Sequence, residues 1–154
     1  MKRIIIKLIQ IIPFRLQKTL FRIIGKNSLS KNENYFCATD LISSHSVYYI
    51  DKARSTRYLL SFSVLWNKLI TSYCLEHVPI EEGDLIVDVG ANIGEFSLAI
   101  ASTSKNLRFI CLEPSKKEFF ALQKNMLELN AQTLNVGAWN ESSEMTLYIK
   151  SDTA

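Results

Sequence analysis

Cysteine is scarce in this chain of 154 residues, and it falls on no metal-binding rhythm. Cys37, Cys74 and Cys111 are odd in number and far apart in the chain, with no C-x-x-C pair and no histidine pattern beside them, so no zinc site is expected and a reducing cytoplasm fits. The only histidines, His45 and His77, have no carboxylate or serine at motif spacing. Long apolar runs are also missing. The leader is rich in Ile, Leu and Phe, but Lys7 and Gln10 interrupt it before the roughly 18–20 residues needed to span a bilayer. No A-x-A-like cleavage site follows it, which argues against a secretory signal and leaves Asn140-Glu141-Ser142 a chance match to a glycosylation acceptor. There is no internal repeat and no low-complexity segment.

Acidic residues are absent from the first 32 positions. Lys2, Arg3, Lys7, Arg15, Lys18, Arg22, Lys26 and Lys31 all precede Glu33, and the remaining ten basic residues face fifteen acidic ones, a net of −5. A basic leader thus precedes an acidic domain. Pro13 splits the leader. In its second half, Arg15, Lys18, Arg22 and Lys26 take one side of a helix and Leu16, Leu20, Ile23 and Ile24 another, with Gly25 as the stop. The pattern fits a helix on an anionic membrane surface, hence peripheral contact through residues 2–26 at the inner face, and equally a helix packed on the domain.

Hydrophobic residues at 47% and charged residues at 21% are ordinary for a globular protein. The organisation expected is a basic amphipathic leader over 1–26, a linker over 27–45 in which Ser, Asn and Lys follow no period, a hairpin and helix over 46–82, and an α/β unit over 83–154. Strands are expected at Ser46 to Asp51 and Tyr58 to Phe62, with a helix from Val64 to Leu75. Later strands are expected at Leu107 to Leu112, Thr133 to Trp139 and Met145 to Lys150, the last as a hairpin. Between them Ser115 and Glu118 spell a capping box ahead of a stripe of Phe119, Leu122, Met126 and Leu129.

The richest stretch is DLIVDVGANIGEFSLAI, Asp84 to Ile100. Leu85, Ile86, Val87 and Val89 make the short β-rich run of a strand covered on both faces. Gly90 and Gly94 bracket a tight turn that leads into a helix whose first N–H groups face whatever sits above the loop. A second acid, Glu113, closes the next strand about 20 residues on, the interval at which nucleotide-binding α/β units set an acid against ribose hydroxyls. A dinucleotide fingerprint also needs G-x-G-x-x-G, and here the middle glycine is missing while Glu95 occupies the first helical turn. A pyrophosphate would meet Glu95 and Asp88 at short range, at a cost of several kcal/mol, on the order expected from Coulomb's law at intermediate dielectric. A cation suits the loop better. S-adenosylmethionine offers a sulfonium, an ammonium, one carboxylate to lie against backbone N–H groups, and a ribose diol for Glu113.

GDLIVDVGANIGEFS, CLEP, KNMLELN and GAWNESSEMTLYI together resemble the FkbM-type methyltransferases, a branch of the class I, Rossmann-like, S-adenosylmethionine-dependent enzymes. The resemblance runs from about Lys52 to the C-terminus and is strongest from Gly83 to Asn130. It implies that Asp88, Gly90 and Asn92 line the methionine end of the cofactor, with Gly94 in the loop, that Glu113 holds the ribose, that Glu95 meets the ammonium, and that Trp139 and Asn140 approach adenine. Asn92 has a second reading as the helix cap, with Glu95 as its reciprocal partner. The implied reaction is O-methylation of a small-molecule or glycan acceptor, with no nucleic acid involved; no catalytic base can be named.

The family's later strands should follow Ile149, and a full class I core needs on the order of 200 to 250 residues. The expectation is therefore the first half of a doubly wound sheet, inactive alone, with Leu85 to Val89 paired on one edge only. The alternatives are a truncated remnant acting at a membrane surface or with a partner, and a nicotinamide oxidoreductase, which the missing glycine and Glu95 oppose.

Overall fold

The computed structural model describes residues 6, 9–24, 26–104 and 106–148; the remainder of the leader, Gly25 and the end of the expected last strand at 149–150 lie outside them. Two three-stranded sheets organise the described residues, one antiparallel and one parallel.

Helix α1, Phe14–Ile24, starts as Pro13 predicts: the ring removes an N–H that no helix start needs, and the Pro13 carbonyl accepts the N–H groups of Leu16 (2.9 Å) and Gln17 (3.1 Å). The face it buries is the predicted one only at Leu20. Gln17 and Phe21 are fully buried, Phe14 and Leu20 pack beside them, and Leu16 and Ile23 stand in solvent at 55% and 75% exposure. The hydrophobic pull of Phe21 and Phe14, which lie opposite Ile23 on the helix, sets the rotation. Gln17 is tolerated inside because its amide donates to the Ile9 carbonyl at 2.7 Å. Among the described residues, no helix is long and apolar enough to cross a membrane.

The expected linker is a sheet. Strands β1 (Asn27–Lys31), β2 (Phe36–Asp40) and β3 (Ser46–Tyr49) form an antiparallel meander in the order β1-β2-β3, with Leu29 opposite Ala38 and Ala38 opposite Val47. One face carries Leu29, Ala38, Val47 and Tyr49 into the core. The other is polar, so the alternation hides among Ser, Lys and Thr. The buried polar Asn27 donates to the carbonyls of Tyr58 and Leu60, both at 2.6 Å, a tie invisible to local pattern.

Tyr58 to Phe62 is not a strand. Lys52–Leu59 forms 3₁₀ helix, started by Asp51, whose carboxylate accepts the Ala53 N–H at 2.9 Å, and Phe62–Ser72 forms α2. The cause is aromatic packing: the ring of Tyr58 sits 5.1 Å from that of Tyr49 and 5.8 Å from that of Phe62, which in turn lies 5.2 Å from Trp66. Asp40 starts α2 from a distance, accepting the Phe62 N–H at 2.9 Å.

The parallel sheet matches expectation closely. Strands β4 (Leu85–Val89), β5 (Arg108–Leu112) and β6 (Gln132–Leu134) stand in the order β4-β5-β6, joined through α3 (Glu95–Ala101) and α4 (Lys116–Asn125). Val89 pairs with Leu112 and Cys111 with Thr133. Ile86, Phe109 and Cys111 pack with Ile100, Leu122 and Met126 under the helices. The opposite face is bare: Leu85, Val87 and Val89 are 46%, 54% and 58% exposed, where burial on both faces was expected. Among the described residues no strand pairs with the free edge of β4. The third strand stops at Leu134 rather than Trp139, and no hairpin forms among the described residues up to 148. Asn135 ends the strand by turning its amide onto the carbonyls of Glu113 (2.8 Å) and Pro114 (3.1 Å). The capping box is not made, since the Ser115 side chain makes no cap bond.

Candidate functional site

A cavity of about 450 Å³ opens at the carboxyl end of β4. Its wall includes Asp88, Gly90, Asn92 and Glu95 from the glycine loop and its flanks, Leu69 from α2 and Tyr73 just past its end, and Arg54 and Arg57 from the 3₁₀ helix. The loop is shaped by three residues in the left-handed region, Gly90 (φ +77°), Asn92 (φ +53°) and Gly94 (φ +88°). Gly94 has a second reason to lack a side chain, because a Cβ there would stand 2.7 Å from Met126 Cε and 2.9 Å from Leu122 Cδ1.

The loop's own N–H groups point inward. Gly90 and Ala91 both donate to the Leu112 carbonyl at 2.9 Å, Asn92 donates to Glu113 Oε2 at 2.8 Å, Ile93 to Asn92 Oδ1 at 2.9 Å, and Gly94 to the Ala91 carbonyl at 2.8 Å. The expectation that these amides receive a ligand carboxylate does not hold from Gly90 to Gly94. A tight glycine turn between parallel strands satisfies its donors on the neighbouring strand end.

Asp88 is buried, and its Oδ2 accepts the Ser97 hydroxyl at 2.6 Å. Burial pushes its carboxyl above the usual carboxylate range against the pull of the Ser97 hydroxyl and backbone N–H, and the charge of Glu113 adds to the rise. Glu113 stands behind the loop rather than in the cavity wall. Its two oxygens accept the N–H groups of Asn92 and Ser115, both at 2.8 Å, leaving lone pairs on each for a further donor.

Glu95 is placed differently from its expected role. Its carboxylate accepts Arg54 Nη1 at 2.9 Å and the Tyr58 hydroxyl at 2.7 Å, and pairs with Arg57 Nη1 at 3.2 Å. Burial, then the adjoining Glu95, raise the Tyr58 hydroxyl well above its usual pKa, so it stays a donor. Arg54 also gives Nη2 to Asn92 Oδ1 at 2.8 Å, and this forked grip holds the loop. Asn92 is therefore not the helix cap. Gly94 takes that position without a side chain. Trp139 and Asn140 are exposed and are not part of the cavity wall, because the chain leaves the sheet at Leu134.

Sequence reasoning missed Arg54, Arg57, Tyr58 and Ser97. The signal available was the R-S-T-R-Y spacing: in a 3₁₀ helix residues i and i+3 eclipse, so Arg54 and Arg57 project to the same side.

No protein-family model and no curated protein sequence matches the chain. Among solved structures it is similar to P. horikoshii TYW2, crystallised in complex with MeSAdo, at 18% identity and a TM-score of 0.45, over 80% of this chain and 47% of that one. The chain thus spans about half the length of that protein. The chain is a mixed α/β protein with a parallel sheet and a charged cavity at the carboxyl end of β4.

Proposed function

We propose that the chain carries the S-adenosylmethionine-binding part of a class I, Rossmann-like methyltransferase of FkbM type. The observation that carries the reading is the pairing of Asp88, at the carboxyl end of β4 in the cavity wall, with Glu113, at the same end of β5 against the loop. A cleft outside the carboxyl ends of parallel strands is where open α/β sheets take ligands, and the volume lies within the usual range of about 300–1,000 Å³ for small-molecule sites. Asp88 offers a carboxylate to a cationic ligand end, and the free lone pairs of Glu113 suit a ribose diol. The bound cofactor supplies an activated methyl on a sulfonium. The protein's task is to hold that group in line with an acceptor oxygen and to take the acceptor's proton. Saccharide or natural-product hydroxyls are the acceptor class that the resemblance of CLEP and GANIGEFS supports.

Titration calorimetry with S-adenosylmethionine and with NAD tests the reading. S-adenosylmethionine should bind, and Asp88→Ala and Glu113→Ala should each weaken it by ~1.5–3 kcal/mol, as for hydrogen bonds to charged groups. Binding of NAD alone, or wild-type affinity in both variants, would overturn it.

A further inference from the structure

The Arg54–Glu95–Arg57 cluster gives the cavity two electrical ends. Arg54 and Glu95 are both buried and neutralise each other. Arg57 is then the surplus cation: its side chain is 47% exposed, it lines the cavity, and among the described residues its one polar contact is the 3.2 Å ion pair through Nη1. A guanidinium has five N–H donors in a planar fork, so most of the fork is available to a ligand. The same cavity is lined by Asp88, whose carboxylate has Ser97 as its one side-chain partner among the described residues. A surplus cation and a surplus anion lining one cavity complement a zwitterion.

The glycine loop cannot serve the anionic end, because from Gly90 to Gly94 every N–H is already given to the protein. We infer that Arg57, from the 3₁₀ helix outside the parallel sheet, binds the α-carboxylate of the amino-acid end of the ligand, while Arg54 holds the loop and Glu95 holds the arginines. This rests on the S-adenosylmethionine reading and adds to it the residue that selects a ligand bearing a carboxylate. Charge-assisted bidentate pairing to a carboxylate is the contact for which arginine is suited and lysine is not.

The test compares S-adenosylmethionine with its decarboxylated analogue, which keeps the sulfonium, ribose and adenine, by calorimetry on the 154-residue chain. Wild type should prefer the carboxylated ligand by about tenfold or more, the range of a hydrogen bond to a charged group. Arg57→Ala should abolish that preference by weakening S-adenosylmethionine alone, and Arg57→Lys should restore part of it. Equal weakening of both ligands means that Arg57 only supports the fold, and unchanged affinity for both means that the carboxylate lies elsewhere; either result overturns the inference while leaving the cofactor reading intact. If wild type binds neither ligand, the cofactor reading itself fails and this inference with it. Because Arg57 is half exposed, Arg57→Ala should fold, and an unchanged urea midpoint verifies it.

Discussion

Asn125 and Tyr48 pair as two strand residues would, although one is a helix side chain. Asn125 Oδ1 accepts the Tyr48 N–H at 2.7 Å, and Nδ2 donates to the Tyr48 carbonyl at 2.8 Å, with a further donation to the Ile93 carbonyl at 2.7 Å. One side chain thereby fastens the meander, α4 and the glycine loop together. Asn125→Ala should destabilise the chain by about 2–4 kcal/mol, since buried backbone groups lose their partners. Asn125→Asp should be worse at neutral pH, because a carboxylate would face two carbonyls. Urea denaturation decides it, and Asp equal to wild type would refute the geometry.

The two loop glycines should separate stability from binding. Gly94→Ala combines a left-handed backbone with a Cβ 2.7 Å from Met126 Cε, whereas Gly90→Ala has the same backbone demand and open space around the Cβ. The former should cost about 2–4 kcal/mol and the latter about 1–2, the range for a non-glycine residue forced left-handed. Gly90→Ala should instead narrow the cavity and weaken ligand binding. Equal urea midpoints for the two variants would contradict this assignment.

Asp88 should act against stability while serving the site. Its folded-state pKa is raised, chiefly by burial. The folded state then binds the proton more tightly than the unfolded one, so stability is lost as pH rises from the unfolded value through the folded one, and the full cost is present above it. Asp88→Asn, which can still accept the Ser97 hydroxyl, should be as stable as wild type or more so at pH 7, with the gain vanishing toward pH 4. Binding of a cationic ligand should fall in the same variant. A variant less stable than wild type at neutral pH would show that the carboxylate is not under strain.

The bare face of β4 should drive self-association. Leu85, Val87 and Val89 form an apolar stripe beside an unpaired strand edge among the described residues, and such edges template pairing with other chains. Sedimentation of the 154-residue chain should show oligomers. Leu85→Lys, which puts a charge on that stripe away from the cavity, should raise the monomer fraction with a stability change of about 1 kcal/mol or less. A monodisperse wild-type monomer would refute it.

The parallel sheet was legible in the sequence because its signals are local. A run of β-branched residues ended by Gly90 places β4, the same logic places β5 up to Glu113, and the register of the two follows from one short crossover. Asp88, Gly90 and Asn92 could be assigned to one loop for the same reason. Contacts at sequence separations of about 30 or more had to wait for the tertiary structure. The meander over Asn27–Tyr49 hides because only one face is apolar, and the buried Asn27 reads as a linker residue until the carbonyls of Tyr58 and Leu60 are brought to it. Glu95 reads as a ligand contact until Arg54 and Tyr58 take its oxygens. The chain determines its turns and strands through backbone preference and periodicity, whereas the charge left over in the cavity depends on which ionic groups neutralise one another, and only packing of the 3₁₀ helix against the glycine loop decides that.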